Sequence, residues 1–200
     1  PDFLPREYIA SLQRLQHEVP SFPFEQARAI VEEALGRDLA SLFSSFDETP
    51  FAAASLAQVH FAVLQDGSPV AVKVQRPNVR AQIEDDMAVF GALVRLGGWL
   101  LPGPTRNLSL AEGFAEFRRY TLQELDFAHE GQTIERFRAN FRDWPDVIFP
   151  TVHWKFTTAK VLTMSRVSGR RLQDVVPTLG PAERQKLNRR ILELEMKMFV

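Results

Sequence analysis

Two hundred residues carry a formal net charge of −1 at pH 7, with 45% hydrophobic side chains and no cysteine. The length suits one ordinary domain, or one lobe of a larger one. The balanced charge gives no electrostatic reason to expect nucleic acid as a partner, and the missing thiols exclude a disulfide framework, a thiolate metal site and a cysteine nucleophile.

In chain order, Leu4 to Val19 reads as an amphipathic helix, with Leu4, Tyr8, Leu12, Leu15 and Val19 at helical spacing, ended by Pro20 and Pro23. A second helix is predicted from about Phe24 to Leu35, stopped by Gly36, and a short turn follows over Leu39–Phe43. Two strands then flank the turn signal Asp66-Gly67. Pro77 ends the second strand and opens a helix, Val79 to Leu101, which closes at Pro102-Gly103-Pro104. Residues 110–141 read as helical, Val147–Phe149 and Lys160–Met164 as short strand candidates, and Pro181–Val200 as a last helix. No signal peptide is legible and no apolar run reaches the about 18 residues that a membrane helix requires. The expected location is therefore cytoplasmic or membrane-associated, any lipid contact being made by a surface or by sequence outside the chain.

The hairpin carries the chemistry. Phe51–His60 reads FAAASLAQVH and Val70–Gln75 reads VAVKVQ. The first fits the phosphate-loop pattern G-x-G-x-x-G-x-V of protein kinases with alanine for every glycine, as Ala52-x-Ala54-x-x-Ala57-x-Val59. Lys73 follows Val59 at about the separation of the V-A-I-K lysine. Strand alternation turns Ala71 and Lys73 to one face and Val70, Val72 and Val74 to the other, giving a small residue to floor an adenine and a cation for phosphates. Glycine would let the loop adopt positive φ. Alanine penalises that, so a stiffer loop with altered nucleotide preference is expected, with Ala52, Ala53, Ala54 and Ser55 covering the nucleotide and the Ser55 hydroxyl adding a donor.

A solvated strand lysine is the bland alternative for Lys73, and the neighbouring loop argues against it. Such a lysine needs a carboxylate partner. Glu130 shares a helical stripe with Ile134, Phe137 and Phe141, where a carboxylate is costly unless paired. Asp126 lies one turn earlier on the same face, and Glu124 is a rival about 200° away on an ideal helix. Glu130 is placed against Lys73, and the choice among the three stays open. Met164 falls where a gatekeeper would, and Arg166 lies in the hinge segment that would meet the base. His17, His60, His129 and His153 lack metal-ligand spacing, so no metal site is assigned within the chain.

These motifs are similar to those of the UbiB/ADCK family of atypical, protein-kinase-like kinases, whose loop reads A-A-A-S-x-x-Q-V-H before V-A-V-K-V-Q-R-P. Pro1–Pro5 with Glu7-Tyr8, Leu122–Glu130 (LQELDFAHE) and Val161–Leu172 (VLTMSRVSGRRL) resemble further family segments in the same order. The chain departs from the usual pattern at Ala57, where glycine is usual, and at Ser165, where glutamate is. The resemblance implies an α+β fold: a kinase-like N-lobe with a small antiparallel sheet and an αC-type helix, family-specific extra helices, and the first helix of a C-lobe. The division expected is a helical extension over 1–49, the N-lobe over 50–168 with an inserted helix at 78–101, and the hinge exit and C-lobe start over 169–200.

The family match also implies ATP (or ADP) with Mg²⁺ as cofactors, a link to isoprenoid-quinone (coenzyme Q) or other lipid metabolism, and partners among lipids, quinone precursors, membrane surfaces or biosynthetic enzymes. Glu124 and Asp126 match the family's E-x-D carboxylates, which are expected to face the lysine of a K-x-G-Q element upstream of Pro1. No H-x-D-x-x-x-x-N or D-F-G occurs in the sequence, so the Mg²⁺ ligands are expected beyond Val200. The complete parent is then a kinase or ATPase, and this portion alone is expected to be inactive. The competing expectation is a non-catalytic pseudokinase, a nucleotide-gated scaffold for lipids or proteins.

Overall fold

The computed structural model describes residues 20–100 and 110–198, without the side chains of 97–100, 110 and 111. The predicted helix Leu4–Val19 and the linker at Pro102–Pro104 lie outside the described residues. Two compact units emerge, one running through Glu135 and adding Pro150–Arg166, the other made of Arg136–Phe149 and the chain from Val167 onward.

The first unit is built on an antiparallel sheet. Helix α1 (Phe24–Leu35) stops at Gly36, whose N–H still donates to the Glu32 carbonyl and whose φ of 66° turns the following chain out of the helix. A one-turn helix, α2 (Leu39–Leu42), leads directly into β1 (Phe43–Phe46). Strands β2 (Ala52–Ala53) and β1 both pair with β3 (Ala57–Leu64), which pairs with β4 (Pro69–Gln75), which pairs with β5 (Val161–Ser165). The β3–β4 turn uses Gly67 at φ 87°, and the Asp66 carboxylate accepts the Ser68 N–H at 2.9 Å. Alternation along β4 sends Val70, Val72 and Val74, all 0% exposed, into the core covered by α1, with Ala27 and Val31 opposite.

Three expectations change. Leu39–Phe43 is not a plain turn, because Phe43 begins a strand paired with Leu64 and Phe46 with Ala62. The segment before residue 50 thus contributes to the sheet as well as to helices. The helical stretch expected over 110–141 is two helices, α4 (Leu110–Glu124) and α5 (Phe127–Asn140), preceded by α3 (Val79–Leu100). The break has a cause: the Asp126 carboxylate accepts the Ala128 N–H at 3.0 Å and starts a new helix. Val147–Phe149 is not a strand. Prolines at 145 and 150 flank it, and Val152 forms the bridge to Met164 instead.

In the second unit, Phe149 stacks on Phe137 with centroids 6.1 Å apart, and Phe141, 2% exposed, packs edge-on to Trp144. After the short helix α6 (Leu172–Val175) comes α7 (Pro181–Met198). Its Arg190 lies over the Trp144 ring at 3.9 Å and donates to both Asp146 oxygens, at 2.6 and 2.9 Å. That fork holds the Asp146 carboxyl below its ordinary range.

Candidate nucleotide-phosphate site

The face of β4 opposite the valine core carries Ala71 and Lys73, flanked across β3 by Phe61 and Val59 and across β5 by Met164 and Leu162. Lys73 Nζ donates to Glu130 Oε2 at 2.6 Å and lies 4.6 Å from the centroid of the Phe127 ring. Of the three carboxylates considered, the pair therefore forms with Glu130. The lysine side chain is 25% exposed and the glutamate 38%, so the pair is shielded without being sealed, and an incoming anion can reach the ammonium.

Asp126 is occupied as the cap of α5. Glu124, at the end of α4, joins Leu56, Lys73, Tyr120, His129 and Glu130 around a cavity of about 520 Å³. Helix α5 comes close to the sheet because residue 131 is glycine. A Cβ there would meet Trp154 at 3.1 Å, and Leu162 and Val152 at 3.4 Å.

The alanine segment folds without strain. Ala52 and Ala53 pair with Val59 and Gln58, and a tight turn over Ala54–Leu56 is closed by the Ala54 N–H on the Ala57 carbonyl at 2.7 Å. Among the described non-glycine residues only Asn78 has positive φ, so none of the alanines occupies the conformation that glycine would favour. Arg76 holds the back of the turn, donating to the carbonyls of Ala54 at 3.1 Å, Ser55 at 3.2 Å and Pro20 at 2.9 Å. With those carbonyls engaged, the Ser55 hydroxyl and the Ser55 and Leu56 N–H groups are left as donors without a partner among the described residues. Donors free on one side and carbonyls tied on the other are a polarity suited to an anion.

Met164 is half-buried against the cluster of Phe127 and Leu162. Arg166 sits at the sheet edge, its guanidinium 3.8 Å from the Phe61 centroid and its N–H given to the Pro69 carbonyl at 3.1 Å.

Residues 14–200 match the model of the ABC1 atypical kinase-like domain. The chain belongs to that family. Its relatives include AarF domain-containing protein kinase 1 of Mus musculus, 38% identical over 171 residues, with 86% of this chain and 32% of that protein covered. The probable protein kinase UbiB of Marinobacter nauticus is 37% identical over 193 residues, covering 96% of this chain and 34% of the relative. The structure of the Rv3197–erythromycin complex from Mycobacterium tuberculosis superimposes with a TM-score of 0.70 at 25% identity, over 90% of this chain and 45% of that one. The chain spans about a third of the length of the curated relatives it matches. Its α+β sheet and helices are those of an ABC1 kinase-like N-lobe.

Two residues of the loop match, Gln58 and His60, have a structural task that motif reading did not assign them. In the Gln-Val-His run, His60 is wholly buried, and its Nδ1 lies 2.7 Å from the Asp47 carbonyl. A carbonyl only accepts, so Nδ1 carries the proton. Nε2 then accepts from Gln58 Nε2 at 2.9 Å, while Gln58 Oε1 accepts the Phe22 N–H at 3.1 Å. Gln58 and His60 thus face the α1 core and lock the entering chain to the sheet. Burial lowers the His60 pKa despite the Asp47 contact. The available signal was alternation: with Val59 beside Lys73, residues 58 and 60 must face the other way.

Proposed function

We propose that this chain supplies the nucleotide-phosphate grip of a UbiB-type atypical kinase or ATPase, binding ATP or ADP with Mg²⁺ in isoprenoid-quinone or other lipid metabolism. The observation that carries the reading is Lys73 held by Glu130 at 2.6 Å on the strand face that also presents Ala71. The Lys73 ammonium acts as a point charge on phosphate oxygens, and Glu130 keeps it from wandering over the sheet. Ser55 and Leu56 offer the free donors of the alanine turn to the same anion. Ala71, Val59 and Met164 form the apolar floor for the base. Bound Mg²⁺ would neutralise phosphate charge. Among the described residues no cluster of three His, Asp or Glu side chains could hold a metal, so none is assigned to it.

The lipid side of the reading rests on α3, where Val89, Phe90, Leu93 and Leu96 are each at least half exposed and make an apolar strip. No described helix is long and apolar enough to cross a membrane, so the contact proposed is with a lipid surface.

Calorimetric titration of ATP and ADP, with and without Mg²⁺, tests the nucleotide reading. Saturable binding that Lys73→Ala weakens about tenfold, the worth of one charge-assisted hydrogen bond, is expected. Equal affinity in the variant, or no binding by the unmodified chain at millimolar nucleotide, overturns it.

A further inference from the structure

Gln75 ends β4 two residues after Lys73, on the same face of the sheet, and is only 6% exposed. Its Nε2 donates at 2.7 Å to the carbonyl of Leu125, in the break between α4 and α5. In an unbroken helix that carbonyl would accept from the N–H of His129, but this N–H goes to the Asp126 carbonyl at 3.0 Å. Leu125 is 1% exposed, so without Gln75 its oxygen would be a buried acceptor lacking a partner. A second bond fixes the same place: the Phe127 N–H donates to the Ala159 carbonyl, just before β5, at 3.1 Å. The start of α5 is thus pinned to the sheet at two points, and Glu130 projects from its first turn.

We infer that Gln75 is a positioning residue for the Lys73–Glu130 pair: by holding the Leu125 carbonyl it sets the height and roll of α5 that bring Glu130 Oε2 to Lys73 Nζ. The inference rests on the proposed nucleotide site for its consequence, though its geometry stands without it. A glutamine suits the task. It is neutral, so it adds no second buried charge near the ammonium, and its amide supplies the N–H that a carbonyl requires. Methionine would match its length and lose the donor. Glutamate would set a carboxylate against the carbonyl oxygen.

Two measurements on the 200-residue chain decide the matter. The first follows the Lys73 ammonium by ¹⁵N NMR, where a carboxylate partner slows exchange of its protons. Gln75→Met and Gln75→Glu should speed that exchange toward the rate in Glu130→Gln, and an unchanged rate in both overturns the inference. The second is a double-mutant cycle on ATP affinity. Gln75→Met should weaken binding about fivefold to tenfold when Glu130 is present and not at all when it is glutamine. Effects that multiply would show Gln75 acting independently of Glu130 and also overturn the inference. If the chain binds no nucleotide while the ammonium responds as stated, the nucleotide reading fails and the positioning role stands.

Discussion

Removing both partners of the Lys73–Glu130 pair, singly and together, tests the geometry of the site without any ligand. Exposed ion pairs contribute about 0.2–1 kcal/mol, and breaking a buried pair by deleting one partner costs about 3–5 kcal/mol. With side chains 25% and 38% exposed, this pair falls near the lower range, and its 2.6 Å contact lifts it above a solvated one. Glu130→Ala leaves the ammonium with the Phe127 ring, a contact worth about 0.5–1 kcal/mol, so a net loss of about 1–2 kcal/mol is expected. Lys73→Met keeps most of the aliphatic stem and should cost about 1 kcal/mol, since the carboxylate it orphans is the more exposed partner. The double variant should be less destabilised than the sum by about 1 kcal/mol. Urea unfolding at low and high salt measures the four proteins. For a chain of this size each kcal/mol also moves the melting temperature by about 2–4 °C. A coupling energy within about 0.3 kcal/mol of zero, the scatter expected for independent sites, would refute the claim that Glu130 holds Lys73.

Three further outcomes are expected. Burial lowers the His60 pKa below its unfolded value of about 6.5, so the unfolded chain binds more protons as pH falls; the contribution is fully present above pH 6.5 and lost below it. Urea midpoints at pH 7.5 and 5.5 should therefore differ more in the native chain than in His60→Asn, and equal differences would remove His60 as the cause. Gly131→Ala gains up to about 1 kcal/mol of helix propensity but crowds Trp154 at 3.1 Å, a strain of about 1–3 kcal/mol; a rise in thermal stability would show that α5 has room to move. Ala54→Gly opens positive φ to a turn that uses none, and it should shift the ratio of ATP to ADP affinity in the complete protein and raise its autophosphorylation. An unchanged ratio, measured by calorimetry, would make the alanines a passive strand entry.

Period-two alternation and turn chemistry made the hairpin readable: Val70, Val72 and Val74 had to be buried together, and Asp66-Gly67 had to turn the chain. Two of the expectations that failed were read from segments too short to show a period. Phe43–Phe46 is four residues long, and only its pairing with β3 makes it a strand. Val147–Phe149 has the right residue types, but an aromatic stack and two flanking prolines claim it instead. The break at Leu125–Asp126 hid inside a good helical pattern because a capping aspartate and a mid-helix aspartate look alike until their partners are known.

The same limit governs the site. Lys73 was legible because its motif is local, a loop, a strand and a lysine in order along one hairpin. Glu130 was legible as the favoured one of three carboxylates but could not be singled out, because its approach to Lys73 depends on where α5 is set down 57 residues later. What sets it down is not charge. Gly131 permits the close approach, Gln75 and the Ala159 carbonyl fix its start, and Asp126 gives its direction by capping the first turn. Two of the three carboxylates therefore have separate tasks: one orients the helix, the other uses that orientation to hold a cation. Arg76 and Gln75, adjacent at the end of β4, divide the work similarly, the first fixing the alanine turn and the second the α4–α5 break. The strand that carries Lys73 thus also anchors the turn and the helix flanking that lysine. A change in its register would displace all three together, which is why the VAVKVQR run acts as a unit.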